Sequence, residues 1–336
     1  MTQKTILIIT DNLPEQINGV VTTYKNIEAC ALLDGYRVVY ITPGDFRYFD
    51  CPGYNEVKIA FPRAMGQKIE ALSPDYIHIA TEGPIGLSAR KYLSKHNLRY
   101  NTAYHTKFPE GLRALFGIPE SLTWPLVRWF HKHSGRVMTT TDTMVKELQA
   151  HGFDGEVLPW TRGVDRDIFF PRPYRRNNQL TLVCVSRVSK EKNLEDFFNL
   201  DYPGAKKIMV GGGPMLEEYQ IQYPDVEFVG FKTGAELAYY YNLADVFVFP
   251  SRWETFGLVM IEAMACGTPV AAYPCQGPED VIDEGITGCM NEDLKQAVKD
   301  ALMLDRQRVW EGSNRWTWER AWEIFRDNLV EKSGAR

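Results

Sequence analysis

Short runs of apolar, β-branched and aromatic residues recur along the chain and alternate with segments of helical period. In the first half these runs cover residues 6–10, 37–42, 76–79, 99–103, 137–140 and 156–159. In the second half they cover residues 180–186, 207–210, 226–228, 245–249 and 270–273. Continuous apolar runs of this length are typical of buried parallel strands. The alternation therefore predicts an α/β protein built from βαβ units with right-handed crossovers.

The segments between these runs predict helices over residues 19–33, 86–96 and 144–151, whereas the run at 37–42 leads into a predicted loop. Each half holds enough βαβ units for its own doubly wound parallel sheet, and 336 residues fit two domains of roughly 150 each. A Pro-rich and then polar stretch over 170–178 is the expected linker. We therefore expect a first domain over 1–173 and a second over 174–315.

Composition narrows the class of protein. Hydrophobic residues make up 44% and charged residues 24% of the chain, which is ordinary for soluble globular proteins, and no apolar run approaches a spanning helix. The first residues enter a strand at once, without the pattern of a signal peptide. Six cysteines lie scattered without metal-site or disulfide spacing. Together these features predict a cytoplasmic protein.

Charge is unevenly distributed between the halves. Residues 1–174 carry 20 Lys and Arg against 18 Asp and Glu, whereas residues 175–336 carry 18 against 25. The acidic second half argues against a nucleic-acid partner. The more basic first half permits contact with an anionic surface without requiring it.

Ligands of doubly wound sheets bind beyond the carboxyl ends of the strands, so the residues just after each strand are the candidates. Arg187 and Lys192 follow the first strand of the second half and can clamp a diphosphate, Arg as a fork and Lys as a point charge. The competing interpretation is a solvated charged turn.

Two glutamates follow the strand at 245–249. Glu254 is predicted in the loop, and Glu262 lies eight positions later within an apolar helix that should end at Gly267. We expect Thr255 or Ser251 to cap that helix. A carboxylate inside such a helix needs a partner, and a ribose diol is one. An ordinary surface position is the alternative for both.

Glycine-rich turns and one histidine are weaker signals. Gly19 and Val20 lie in the loop after the first strand, where glycine lets the backbone approach a phosphate, although a simple tight turn explains them equally well. Gly212 and Gly213 belong to a turn that is neither a Walker loop nor a dinucleotide fingerprint. His105 follows the run at 99–103, and a lone histidine more often serves as a structural hydrogen-bonding group.

Taken together, these motifs resemble the retaining family-4 glycosyltransferases of the GT-B fold, with Glu254 and Glu262 as the Glu-x7-Glu signature. The motifs that carry the resemblance cover residues 18–20, 104–110, 162–171, 186–193, 211–214, 250–270 and 277–281. The resemblance implies two facing Rossmann-like domains, with residues 316–336 crossing back to the first domain as a C-terminal helix. It also implies transfer of a hexose from a UDP- or GDP-linked sugar to a hydroxyl acceptor, with retained configuration and without a metal ion or other cofactor.

The resemblance further implies a role for each matching residue. Arg187 and Lys192 would bind the donor diphosphate and stabilise the leaving group, and His105 would lie near the anomeric centre. Glu254 would hold the sugar hydroxyls and Glu262 the ribose. The remaining donor contacts would come from Gly19, Val20, Gly212, Gly213, Phe231, which lies near the base, and the segment Thr255, Phe256, Gly257 and Leu258.

Residues 107–133 interleave basic and aromatic side chains. They could form an interfacial surface suited to a lipid acceptor such as diacylglycerol, with peripheral contact to the inner membrane leaflet, or simply first-domain core. A glycan is the other acceptor that the resemblance allows. A sugar-nucleotide epimerase, a phosphorylase and a non-catalytic nucleotide-sugar-binding protein are the competing functions, and the sequence leaves the base, the sugar and the acceptor open.

Overall fold

A computed structural model of the chain describes residues 3–51, 54–173, 179–252 and 254–332, with the backbone alone at 54–57 and 114–116. The described chain divides into two units. The first comprises Met1–Arg162 with Trp318–Arg336, and the second comprises Gly163–Thr317. In the described part of the chain, no helix combines the length and apolar character needed to cross a membrane.

The first unit is built on a six-stranded parallel sheet in the order β2-β1-β5-β6-β7-β8. Its strands are β1 Thr5–Ile9, β2 Arg37–Ile41, β5 Tyr76–Ile79, β6 Asn101–Tyr104, β7 Arg136–Thr139 and β8 Val157–Pro159, beside the antiparallel pair β3 Arg47–Cys51 and β4 Tyr54–Phe61. Its helices are α1 Gly19–Leu33, α2 Met65–Leu72, α3 Pro84–Lys95, α4 Phe108–Phe116, α5 Glu120–His131, α6 Asp142–Ala150 and α14 Trp318–Asp327. The strand order reverses between β1 and β5, as in other doubly wound sheets.

The second unit contains a second six-stranded parallel sheet, in the order β11-β10-β9-β12-β13-β14. Its strands are β9 Thr181–Val185, β10 Lys206–Val210, β11 Val226–Gly230, β12 Val246–Phe249, β13 Val270–Ala272 and β14 Gly288–Met290. Its helices are α7 Leu194–Phe198, α8 Leu216–Gln222, α9 Gly234–Leu243, α10 Leu258–Ala265, α11 Pro278–Val281, α12 Leu294–Ala301 and α13 Arg306–Gly312. Here the order reverses between β9 and β12.

Both sheets confirm the predicted α/β class with doubly wound parallel sheets. Strands such as β9 and β12 are buried along their whole length because helices cover both faces of each sheet. The predicted return of the C-terminus is also confirmed, since α14 packs against α1 within the first unit. Helix α7, between β9 and β10, is short, with five residues.

The boundary between the units falls after Arg162, earlier than the predicted boundary after residue 173. Residues 163–173 join the second unit because Val164 and Phe169 pack into its core. Of the predicted linker 170–178, residues 174–178 lie outside the described chain.

The stretch after β2 also differs from its prediction. Instead of a loop it forms the β3–β4 hairpin and α2. Its strands carry polar residues and exposed aromatics such as Phe49 and Phe61, whose rings lie 5.7 Å apart. A two-stranded hairpin at a surface lacks the continuous apolar run by which buried parallel strands are recognised.

Phe325 on α14 provides a test of this packing. Its side chain is fully buried, and its ring lies 4.8 Å from that of Trp160 and 4.9 Å from that of His78. Phe325→Ala should lower the free energy of unfolding of the first unit by about 3–5 kcal/mol, as measured by chemical denaturation. Leu33→Ala is the control, because Leu33 is 92% exposed on α1 of the same unit and should change this free energy by less than about 0.5 kcal/mol. Equal small effects from both variants would contradict the packing of α14.

Candidate active site

The carboxyl edge of the second sheet gathers five of the predicted donor residues. Lys192 and Arg187 follow β9, Gly212 follows β10, Phe231 follows β11 and Glu254 follows β12. These four strands are neighbours in the sheet, and the order reverses between β9 and β12. Residues far apart in sequence therefore meet at a topological switch point, where such sheets bind ligands.

Lys192 and Glu254 form an ion pair across this switch point. The Lys192 Nζ donates to Glu254 Oε2 over 2.9 Å, and the Thr255 backbone N–H donates to Glu254 Oε1 over 3.0 Å. Burial disfavours both charges, yet the pairing outweighs it, so the pKa of Lys192 is raised and the pKa of Glu254 is lowered. Both side chains are therefore charged at neutral pH, and each holds the other where a ligand is predicted to lie.

Asn193 holds the two loops together. It adopts a left-handed conformation (φ 52°), which asparagine tolerates better than most residues. Its Nδ2 donates to Pro250 O over 3.1 Å and to Asp196 Oδ2 over 2.6 Å. Because Pro250 directly follows β12, this contact ties the loop after β9 to the loop that carries Glu254. In the sequence Asn193 is only one letter of a motif, and its conformation is visible only in the structure.

Arg187 and Phe231 follow neighbouring parts of the same sheet end. The charge of the Arg187 guanidinium partly offsets the rise that Glu254 causes in the pKa of Lys192. Phe231 is 53% exposed, and a Cβ built on Gly212 would lie 3.9 Å from the Phe231 Cβ. An exposed aromatic ring next to a side-chain-free turn offers a flat face for a planar ligand.

The glycine turn after β10 has a structural explanation of its own. A Cβ at Gly213 would lie 2.4 Å from Val188 O, and one at Gly211 would lie 1.9 Å from Ser186 O. The Val188 backbone N–H donates to Gly212 O over 2.9 Å. Close packing against the loop after β9 therefore already requires glycine at 211 and 213, while Gly212 is the residue that faces Phe231.

Helix α10 begins differently from its prediction. Its N-cap is Gly257 (φ 83°) rather than Thr255 or Ser251, whose side chains are buried and do not cap it. This left-handed φ strains any residue with a side chain, so glycine is favoured there. Phe256 anchors the preceding loop because its ring packs edge-on against Trp316 at 5.3 Å.

Glu262 lies on α10 in surroundings unlike those of Glu254. Its Oε2 accepts a hydrogen bond from the Tyr241 hydroxyl over 2.9 Å. Burial raises the pKa of Glu262 to about 7, a shift that the Tyr241 hydroxyl only partly opposes. One signature carboxylate is thus paired with a cation, and the other is held by a neutral hydroxyl.

Gly19, Val20 and His105 belong to the first unit. Asn18 caps α1, and its Oδ1 accepts from the backbone N–H groups of Val20 and Val21, each over 3.0 Å. His105 follows β6 and is 8% exposed. Its Nε2 lies 2.8 Å from the Tyr24 hydroxyl and its Nδ1 lies 2.8 Å from the Arg162 guanidinium.

Two family models match the chain. The model for Glycosyltransferase Family 4 matches residues 17–168, and the model for Glycosyl transferases group 1 matches residues 179–304. The chain belongs to these glycosyltransferases. The first match lies mainly in the first unit and ends shortly after its boundary, and the second lies wholly within the second unit.

Curated relatives align with large parts of this glycosyltransferase. The sulfoquinovosyl transferase SQD2 of Arabidopsis thaliana is 29% identical over 72% of the chain, which spans about half (51%) of that relative. A GDP-mannose-dependent alpha-mannosyltransferase of Corynebacterium glutamicum is 25% identical, with 94% of the chain and 86% of the relative covered. An alpha-monoglucosyldiacylglycerol synthase of Acholeplasma laidlawii is 24% identical, with 86% and 85% covered.

The fold is shared with solved structures. Sucrose-phosphate synthase from Thermosynechococcus elongatus superposes with a TM-score of 0.80 over 97% of this chain and 99% of that one, at 19% identity. This confirms the predicted GT-B class of the two Rossmann-like units.

Metal binding was not expected from the sequence. Within the described ranges, no group of three or more His, Cys, Asp and Glu side chains is arranged to hold a metal ion. Metal-independent transfer remains a prediction that needs its own measurement.

The raised pKa of Glu262 predicts a specific pH dependence of stability. Because its pKa is higher in the folded state, the unfolded chain releases this proton near pH 4.5 while the folded protein holds it up to about pH 7. The associated stabilisation is therefore complete below about pH 4.5, falls as the pH rises, and is lost once the pH has passed 7. Glu262→Gln removes the ionisation. In denaturant titrations, the free energy of unfolding of this variant minus that of wild type should therefore increase by about 1–3 kcal/mol when the pH is raised from 4.5 to 8.

Glu236→Gln is the matched control for this measurement, because Glu236 is an exposed glutamate on α9 of the same unit. Its stability difference from wild type should be the same at both pH values. A Glu262→Gln difference that also stays constant with pH would contradict the buried, proton-binding state of Glu262.

Proposed function

We propose that this glycosyltransferase moves a hexose from a UDP- or GDP-linked sugar to a hydroxyl acceptor, with retained anomeric configuration and without a metal ion. The observation that carries the proposal is the meeting of Arg187, Lys192 and Glu254 at the switch point of the second sheet, with Phe231 at the same end of the sheet after β11. A nucleotide sugar needs cations for its diphosphate, a flat face for its base and carboxylates for its hydroxyls. The second unit offers each of these groups along one sheet edge.

The cations would supply the electrostatic part of catalysis. Negative charge grows on the leaving diphosphate as the glycosidic bond breaks, and Lys192 with Arg187 would stabilise it. Lys192 is bonded to Glu254 in this structure, so the diphosphate and the sugar would enter by sharing or displacing that ion pair. Releasing Glu254 in this way would leave its carboxylate to accept hydrogen bonds from the sugar hydroxyls.

The two signature glutamates are assigned to donor binding in this proposal, not to an acid–base pair like that of a retaining glycosidase. Glu254 already pairs with Lys192 from the loop after β9, whereas Glu262 lies on α10 and accepts a hydrogen bond from Tyr241 on α9. We assign them to the two ends of one donor, with Glu254 at the sugar and Glu262 at the ribose. Transfer would then take place on the face from which the diphosphate departs, with a phosphate oxygen accepting the proton of the acceptor.

The names of the relatives suggest the acceptors that we propose. One of them is an alpha-monoglucosyldiacylglycerol synthase and another an alpha-mannosyltransferase, so a diacylglycerol hydroxyl and a glycan hydroxyl are the two candidates. The protein would work in the cytoplasm.

Turnover of UDP-glucose and GDP-mannose, each with diacylglycerol vesicles or a mannoside as acceptor, tests the reaction. One of these pairs should give product, and NMR of that product should show the same anomeric configuration as in the donor. Turnover should persist in excess EDTA. Consumption of donor without any acceptor would support an epimerase instead, and binding of UDP or GDP without turnover would support a non-catalytic binding protein.

Lys192→Ala should reduce turnover by about 10²-fold or more, since one preorganised charge at a leaving group contributes about 3–4 kcal/mol. Removing Lys192 also leaves the half-buried Glu254 carboxylate without its cation, so thermal melting must accompany the assay to exclude unfolding. Lys190→Ala is the control, because Lys190 is exposed in the same loop and should keep wild-type turnover. Near-native activity of folded Lys192→Ala would contradict the assigned role.

Helix α5 exposes a surface suited to contact with a membrane, where a lipid acceptor would be found. The aromatic residues predicted there divide into two sets, since Trp124 and Phe130 are buried in the first unit. The exposed apolar set recurs at helical spacing, with Leu122 68%, Leu126 48% and Trp129 47% exposed. The exposed cations Arg128 and Lys132 flank it. We propose that this face contacts an anionic membrane surface.

The double variant Leu122→Ser/Leu126→Ser should lose most binding to sedimented vesicles containing anionic lipid, because it removes the apolar part of the contact. Ile221→Ser is the control, since Ile221 is 83% exposed on α8 of the second unit. Wild type should bind anionic vesicles more tightly than neutral ones, and less tightly as salt increases. Equal binding by wild type and the double variant would contradict this use of α5.

A further inference from the structure

A chain of hydrogen bonds passes through four buried side chains of the first unit. The Arg162 Nη2 lies 2.8 Å from His105 Nδ1, and His105 Nε2 lies 2.8 Å from the Tyr24 hydroxyl. That hydroxyl also lies 2.7 Å from His78 Nε2. The four residues come from the end of β8, the end of β6, α1 and β5, and each is at most 8% exposed.

Donor and acceptor chemistry fixes the direction of the two bonds that His105 makes in this chain. A guanidinium has hydrogen-bond donors only, so Nδ1 of His105 must accept and cannot carry a hydrogen. The neutral His105 ring therefore carries its hydrogen on Nε2 and donates it to the Tyr24 oxygen. The Tyr24 hydroxyl then donates to His78 Nε2, which leaves the hydrogen of His78 on Nδ1.

Protonating His105 would break this arrangement. An imidazolium needs a hydrogen on Nδ1, where it would point at the Arg162 guanidinium and eliminate their 2.8 Å bond. Burial, the charge of Arg162 and His78 all act in the same direction and hold the pKa of His105 well below its usual range. The next group in this series of hydrogen bonds is the Tyr24 hydroxyl. Burial raises its pKa well above the usual range, and Tyr40 and Glu82 act in the same direction, whereas Arg162 opposes them.

The surroundings of Arg162 strengthen its hold on His105. Its Nη1 donates to Trp160 O over 2.6 Å and to Thr161 O over 3.0 Å, and its guanidinium lies 4.5 Å from the Trp160 ring centre. No carboxylate of the described residues forms an ion pair with Arg162. Its charge is therefore held by carbonyls, a ring face and the lone pair of His105.

We propose that Arg162 is a positioning residue that holds His105 as the neutral Nε2–H tautomer during glycosyl transfer. The inference rests on the proposed place of His105 near the anomeric centre of the donor. Positive charge develops at that carbon as the bond to the diphosphate breaks, and an imidazolium beside it would repel that charge. By keeping the ring neutral, Arg162 prevents a positive charge from forming on His105 over the working range of pH.

Nitrogen-15 NMR of the histidine rings in the ligand-free protein tests the tautomer directly. The chain has six histidines, so the His105→Gln spectrum assigns the resonances of His105. Wild type should show Nε2 protonated and Nδ1 unprotonated from about pH 8 to about pH 5, a range in which ordinary histidines take up a proton. In Arg162→Met the Nδ1 bond is lost, and the ring should begin to titrate within that range.

Arg90→Met is the matched control for the loss of a buried arginine. Arg90 is 5% exposed in the same unit and donates to the carbonyls of Phe130 and Trp129, away from His105. It should destabilise the protein without changing the His105 resonances. In kinetics, Arg162→Met should add an acid limb to the profile of kcat/KM against pH, and Arg90→Met should not.

A wild-type His105 that titrates between about pH 5 and pH 8, or that carries its hydrogen on Nδ1, would overturn the proposal, as would an unchanged ring in folded Arg162→Met. If that variant does not fold, Tyr24→Phe keeps the Arg162 bond and should keep the neutral tautomer, so a protonated ring there is equally decisive against it. An inactive wild type with the expected tautomer would count against the proposed function and leave the role of Arg162 in setting the tautomer standing.

Discussion

Parallel strand pairing is the constraint on which the rest of this structure depends. It brings the carboxyl ends of all six strands of a sheet to one edge, so that loops distant in sequence share one surface. In the second unit this edge collects the loops after β9, β10, β11 and β12. The helices that make parallel pairing possible also bury the strands on both faces, which accounts for the apolar runs along the chain.

In the loop and the helix that follow β12, two half-buried carboxylates are stabilised in opposite ways. Lys192 and backbone N–H groups compensate the charge of Glu254, so this group remains ionised although burial opposes it. Glu262 has only a tyrosine hydroxyl, and burial therefore raises its pKa to about 7. The same residue type at two points of one motif thus provides a fixed anion and a group that is easily protonated, which suits two different parts of a ligand.

The first unit also contains a buried charge, in this case a cation. Arg162 is buried without an acidic partner in the described chain, and burial lowers the pKa of its guanidinium to about 10. Carbonyl oxygens, the Trp160 ring and His105 Nδ1 replace the missing counter-charge. A buried guanidinium of this kind orders the ring beside it, because it can only donate and His105 Nδ1 must therefore accept.

The sequence by itself determined the alternation of strands and helices, the division into two sheets and the motifs of a glycosyltransferase, because burial of strands and helix faces leaves a local periodic pattern. Only the tertiary structure decided the Gly257 cap, the left-handed Asn193 and the exposed face of α5. It also decided the contact of Arg162 with His105, which are 57 residues apart, and of Tyr24 with His105, which are 81 apart. Such contacts depend on how whole elements pack, and no local pattern of residues encodes which buried polar groups will meet.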